Sequence, residues 1–132
     1  GTVRLAAILC LLSSLAPAAD WLRFRGPGGA GVVDGPLFPR QIGPDTNVAW
    51  KTPVPKGKSS PIVTADRIFL TGHENGNLFT FALDRKTGKP LWRQQAPASR
   101  DEKRHQLNDP ASPSPVSDGL NVYVFFAGFG LL

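Results

Sequence analysis

Ala82-Leu83-Asp84-Arg85-Lys86-Thr87-Gly88-Lys89-Pro90-Leu91-Trp92 carries the end of one strand, a polar turn and the start of a returning strand in one short run. Residues Asn77 to Leu83 alternate with a period near two, Asp84 and Gly88 bracket the turn, and Pro90 to Arg93 begin the strand that comes back. This pattern predicts a β-hairpin. Asp84 is placed to accept backbone N–H bonds inside the turn, and Gly88 to supply the positive φ that closes it. Trp92 offers a large apolar face to a neighbouring unit. The reading of Trp92 as a packing residue precedes any reading of it as a site, because large aromatics are mostly buried in cores.

The same stretch resembles the quinoprotein-type (pyrroloquinoline-quinone-like) β-propeller repeat, whose blades carry Ala-x-Asp-x-x-Thr-Gly-x-x-x-Trp. Ala82, Asp84, Thr87, Gly88 and Trp92 fill every specified position. The resemblance implies that the tryptophan docks between adjacent blades and that the Thr-Gly turn helps to seat it. It covers residues 47–132. Trp50, in Asn47-Val48-Ala49-Trp50, lies 42 residues before Trp92, an interval suited to four-stranded blades. Trp50 has no matching motif upstream, so its unit reads as an opening strand that completes the ring with later strands.

The expected fold is all-β: an incomplete β-propeller of about two four-stranded antiparallel blades, following a signal peptide and an irregular lead-in. Residues 1–19 read as the signal, with Arg4, an apolar run from Leu5 to Ala16 too short to span a bilayer, and a small-x-small site at Ala16-Pro17-Ala18. The alternative is a buried N-terminal helix. Export to a periplasmic or extracellular space follows from the signal reading, with no membrane span after cleavage. The single cysteine, Cys10, falls inside this run and fits a lipoprotein box poorly, so disulfide chemistry is not expected of the remaining chain of about 113 residues. The formal charge of +5 drops by one with Arg4, and the other basic residues are scattered. Nucleic-acid binding calls for a basic stripe interleaved with aromatics and is not expected.

Residues 20–46 are rich in glycine and proline and read as the lead-in, with Trp21 and Phe24 expected to pack onto the ring. The opening from Asp20 to Pro27 resembles that of many exported propellers of this type. Gly26 to Gly31 matches Gly-x-Gly-x-x-Gly, but no strand precedes it and no helical pattern follows, so a dinucleotide site is not expected. Residues 47–132 then read as blades. One comprises Ser60 to Thr64, Arg67 to Thr71, Asn77 to Leu83 and Pro90 to Gln95, with Asn75-Gly76 as a type I′ turn signal. The next restarts at Ser114 to Ser117 and continues as a strand from Asn121 to Phe126. The chain opens on Gly1 and stops at Leu132 within strand-like sequence, and it holds only about two of the usual 4–8 blades. It is therefore expected to be the N-terminal piece of a longer propeller whose remaining blades are its first partners.

Pro61 and Pro115 are 54 residues apart, so a loop, residues 96–113, is inserted between the two units. Arg100, His105, Asn108 and Asp109 in that loop form the compact group with acid–base and hydrogen-bonding capacity. They are candidate ligand contacts on the propeller rim, set against the plainer reading of a solvated loop. His73 and Glu74 read as a surface turn. His-Glu-x-x-His, Gly-x-Ser-x-Gly and Walker-type signatures are absent. No cofactor is evident. The resemblance brings in pyrroloquinoline quinone with Ca²⁺, held by Glu, Asn, a catalytic Asp and often a vicinal cysteine pair, only for a full-length parent. Two functions follow: a non-enzymatic binding propeller similar to the periplasmic one that assists outer-membrane protein assembly, with other exported proteins as partners, or part of a quinone-dependent alcohol or sugar dehydrogenase.

Overall fold

The computed structural model describes residues 20–33, 35, 38–97, 103 and 105–132. The signal-peptide expectation for residues 1–19 lies outside them. Among the described residues the regular elements are all β-strands apart from one 3-10 turn, Pro27–Gly29.

Its centre is a four-stranded antiparallel sheet of β1 (Ile62–Val63), β2 (Arg67–Glu74), β3 (Asn77–Asp84) and β4 (Pro90–Gln95), arranged in chain order. β2 and β3 are joined by a two-residue turn at Asn75-Gly76, both with positive φ, as a type I′ hairpin requires. β2 runs three residues past the expected Thr71, to Glu74, with Glu74 opposite Asn77. His73 is therefore a strand residue rather than part of a surface turn. Short turns and the two-residue side-chain period fix this register, since a one-residue slip would exchange the two faces.

β3 departs from the expected half-buried alternation, because Leu78 to Leu83 are all buried. Both of its faces are covered. On one, Ile62, Phe69 and Ala82 form a cluster, and Leu78 and Ala96 pack with Ala111, Val124 and Phe126 from the C-terminal segment, Val122 touching both groups. On the other, Phe81 and Leu83 lie beside the stretch that includes Pro53 to Pro55, and Phe79 lies under the Arg93 guanidinium. A strand covered on both faces carries a continuous apolar run. Each fully buried Leu or Phe side chain here contributes about 1.5–3 kcal/mol.

The C-terminal segment forms two small antiparallel pairs, β5 (Val116–Ser117) with β6 (Val122–Tyr123) and β7 (Phe125–Phe126) with β8 (Gly130–Leu131). The expected single strand from Asn121 to Phe126 is thus divided. Val124 marks the change of partner: its N–H and C=O exchange bonds of 3.0 and 2.8 Å with Leu132, while the two residues before it pair with β5. The segments leading into β1 and β5 touch where Ser60 N–H donates to Ser114 Oγ at 2.8 Å.

The lead-in is tied down at one place. Trp21 exchanges two backbone bonds with Val63, of 2.7 and 2.8 Å, and Leu22 C=O accepts from Ser117 N–H at 2.8 Å. Residues 21 and 22 therefore bridge β1 and β5. Trp21 lays its ring on the buried Gly26, whereas Phe24, expected to pack with it, is 57% exposed.

Candidate functional site

The turn after β3 is organised by one carboxylate. Asp84 Oδ1 accepts from the Thr87 N–H at 2.7 Å and from Thr87 Oγ1 at 2.8 Å, while the Asp84 C=O accepts from Gly88 N–H at 2.8 Å. The Thr87 hydroxyl first, and the Thr87 N–H second, hold the Asp84 carboxyl below the usual carboxylate range. Gly88, at φ 71°, is where the chain turns back.

Trp50 sits on this turn. Its indole lies against Gly88 so closely that a Cβ at this position would collide with the ring and lie 2.7 Å from Thr52 Oγ1. Trp50 Nε1–H donates to Arg85 C=O at 3.1 Å, and Thr52 Oγ1 donates to Gly88 C=O at 2.6 Å. Arg85 is anchored in turn, its N–H to Asp66 C=O at 2.9 Å and its guanidinium to Thr64 C=O at 2.8 Å. The side chain received by the Asp84–Gly88 turn is thus the tryptophan of the preceding segment.

Trp92 stands elsewhere. It pairs in register with Ala82, which is fully buried, and its ring is tilted against Phe69 at a centroid distance of 5.9 Å. A shift in register between Ala82 and Leu83 marks the point where β4 begins. Trp92 remains 41% exposed and borders a groove of about 220 Å³ lined also by Val122, Val124 and Leu132. A second groove, of about 300 Å³, lies between Pro53 to Pro55 and the apolar residues Phe81, Leu83 and Leu91.

The loop candidates separate. Arg100 lies outside the described residues. His105 is exposed, and its Nδ1 accepts from the Leu107 N–H at 3.2 Å. Asn108 is exposed and contributes its N–H to His105 C=O at 2.9 Å. Asp109 turns inward: Oδ1 accepts from the Ala111 N–H at 2.9 Å, and Oδ2 faces His73 Nε2 at 4.0 Å. The loop docks on β2 through Thr71, whose hydroxyl lies within hydrogen-bonding distance of Ala111 C=O (3.2 Å) and Pro113 C=O (3.3 Å). Lys58 Nζ reaches Leu107 C=O. His73 is the residue that the sequence reading missed here. Its place two residues beyond the expected end of β2, on the face of Phe69 and Thr71, was the available signal.

A second carboxylate orders its own turn. Asp118 Oδ1 accepts from the N–H groups of Asn121 and Leu120, at 2.7 and 2.8 Å, and Oδ2 accepts from Tyr123 Oη at 2.9 Å. The Asn121 N–H, then the Leu120 N–H, hold the Asp118 carboxyl well below its ordinary range; the hydrogen bond that Tyr123 Oη donates to this carboxylate raises the Tyr123 phenol.

A quinone with Ca²⁺ needs carboxylate and amide oxygens that converge on one point. Asp84 and Asp118 are occupied by their turns, Asp109 by its loop, and Glu74 by Arg93 at 2.9 Å. Among the described residues no three His, Cys, Asp or Glu side chains group as a metal site. Also among the described residues, no helix is long and apolar enough to cross a membrane. Comparisons with protein-family models, with curated proteins and with solved structures found no match to this chain.

Proposed function

We propose that this chain belongs to an exported, non-enzymatic β-propeller that binds or scaffolds other exported proteins through its rim loops and open strand edges. The observation that carries the reading is the asymmetric use of two tryptophans 42 residues apart. Trp50 is received by the Asp84–Gly88 turn, while Trp92, at the same place one interval later, offers a half-exposed ring. A unit that takes a side chain from the segment before it and presents an equivalent one is suited to repetition, and stacking of such units buries a continuous core. The order β1-β2-β3-β4, with short connections, suits a propeller blade.

A binding role is favoured because the carboxylates of the two turns and of the 105–113 loop are spent on local architecture. Asp84, Asp109 and Asp118 each hold their own backbone. Among the described residues β4 is the outer strand of its sheet, and the two grooves beside it have mainly apolar walls.

The test is made on the complete reading frame that contains this segment. A closed ring of repeats ending in tryptophan, with no quinone binding in a fluorescence titration, supports the proposal. Reduction of an artificial electron acceptor that depends on added quinone and Ca²⁺ would replace it with the dehydrogenase reading. A full-length protein with no further such repeats would overturn the propeller itself.

A further inference from the structure

We propose that Asn75, at the tip of the β2–β3 hairpin, is a site of spontaneous deamidation in the folded protein. Asn75 and Gly76 are both exposed, at φ 51° and 79°, and the space where a Gly76 Cβ would stand has nothing within 4 Å. The attacking nitrogen is free, since Gly76 N–H has no acceptor among the described residues. The Asn75 side-chain amide makes no hydrogen bond among them either, its backbone C=O alone accepting from Asn77 Nδ2 at 3.5 Å.

The other asparagines lack this combination. Asn47 donates its amide to Gln41 C=O at 2.7 Å and precedes Val48. Asn77 accepts from Gln95 Nε2 at 3.0 Å and precedes Leu78, and Asn121 is held against Asp118 and precedes Val122. Asn108 precedes Asp109 rather than glycine. The sequence-equivalent labile pair Asp118-Gly119 is restrained, because Gly119 N–H donates to Ser117 Oγ at 3.0 Å while the Asp118 carboxylate is fully engaged.

In the reaction, the Gly76 amide nitrogen loses its proton to base and attacks Asn75 Cγ. The new N–Cγ bond closes a five-membered succinimide, the Cγ–Nδ2 bond breaks, and the nitrogen leaves as ammonia with the returned proton. Water then adds to one of the two imide carbonyls, giving aspartate or isoaspartate with no change of oxidation state. Either product sets a new carboxylate beside Glu74, which pairs with Arg93 at 2.9 Å, the guanidinium in turn lying 3.5 Å over the Phe79 ring. Isoaspartate also inserts a backbone methylene into a turn whose two residues fix the Glu74–Asn77 register.

The test is a peptide mass map of the 132-residue chain aged in mildly alkaline buffer, folded and in urea, beside Asn75→Gly, which keeps a turn-competent residue and removes the amide. The expected result is conversion at Asn75 more than about tenfold faster than at Asn47, Asn77, Asn108 or Asn121, a barrier difference of about 1.4 kcal/mol. The folded rate at Asn75 is expected within about tenfold of the rate in urea, and Asn75→Gly to lose this product while keeping its far-ultraviolet dichroism. Conversion at Asn75 no faster than at the others, or suppressed more than about a hundredfold by folding, overturns the proposal.

Discussion

Gly88→Ala probes the seat of Trp50 directly, and Gly76→Ala supplies its control. Both glycines have positive φ, 71° and 79°, so alanine pays the left-handed penalty of about 1–2 kcal/mol at either. The surroundings differ. At Gly76 the added methyl meets nothing within 4 Å, and the cost stops there. At Gly88 it runs into the Trp50 ring and lies 2.7 Å from Thr52 Oγ1. The indole must withdraw, breaking Trp50 Nε1–H to Arg85 C=O and Thr52 Oγ1–H to Gly88 C=O, worth about 1 kcal/mol each. Some apolar contact of the ring is lost as well, about 1 kcal/mol at the area coefficient for partial burial. Gly88→Ala is therefore expected to cost about 4–5 kcal/mol, against about 1–2 for Gly76→Ala. Urea unfolding followed by far-ultraviolet dichroism, at concentrations where the midpoint does not move, measures both. A gap between the two variants below about 1 kcal/mol would refute the docking of Trp50 on this turn.

Trp92→Ala is expected to cost about 2 kcal/mol in this chain, where the residue is 41% exposed, and about 3–5 in the longer propeller proposed above if a following unit covers it. A loss below about 1 kcal/mol in the longer protein would remove the docking role of Trp92. The carboxyls of Asp84 and Asp118 are held lower in the folded chain than in the unfolded one, so their contribution is present above the unfolded value and fades as pH falls below about 4. Asp84→Asn and Asp118→Asn should each flatten the acid side of a melting-temperature profile; an unchanged slope in both would count against the carboxylate turns. The unpaired β4 edge, with Leu91 45% exposed, should drive concentration-dependent association that Leu91→Lys relieves. Sedimentation showing a monodisperse monomer across a wide concentration range for the unsubstituted chain would contradict that.

The candidate site was legible in part. Asp84, Thr87 and Gly88 make a turn whose bonds span at most four residues, and such bonds follow from residue type and spacing alone. The same locality explains why the strand spans Asn77 to Leu83 and Pro90 to Gln95 were foreseen within a residue, and why Asn75-Gly76 announced its hairpin. The loop group was not legible as a group. Asp109 bonds within its own loop and faces His73, while His105 and Asn108 stay in solvent, because which side of a loop meets the sheet depends on where Thr71 catches it, 40 residues away in sequence.

By itself the sequence determined an all-β chain and its tight hairpin turns, because turn chemistry and the two-residue period act over a few neighbouring residues. Only the tertiary structure decided that β3 is buried on both faces, that the run from Asn121 to Phe126 changes partner at Val124, and that Trp21 and Leu22 bridge β1 and β5. It also decided that Trp50 rests on the Gly88 turn while Trp92 stays half-open. These depend on contacts between distant segments, whose formation offsets the entropy of closing long loops and leaves no periodic mark in the sequence.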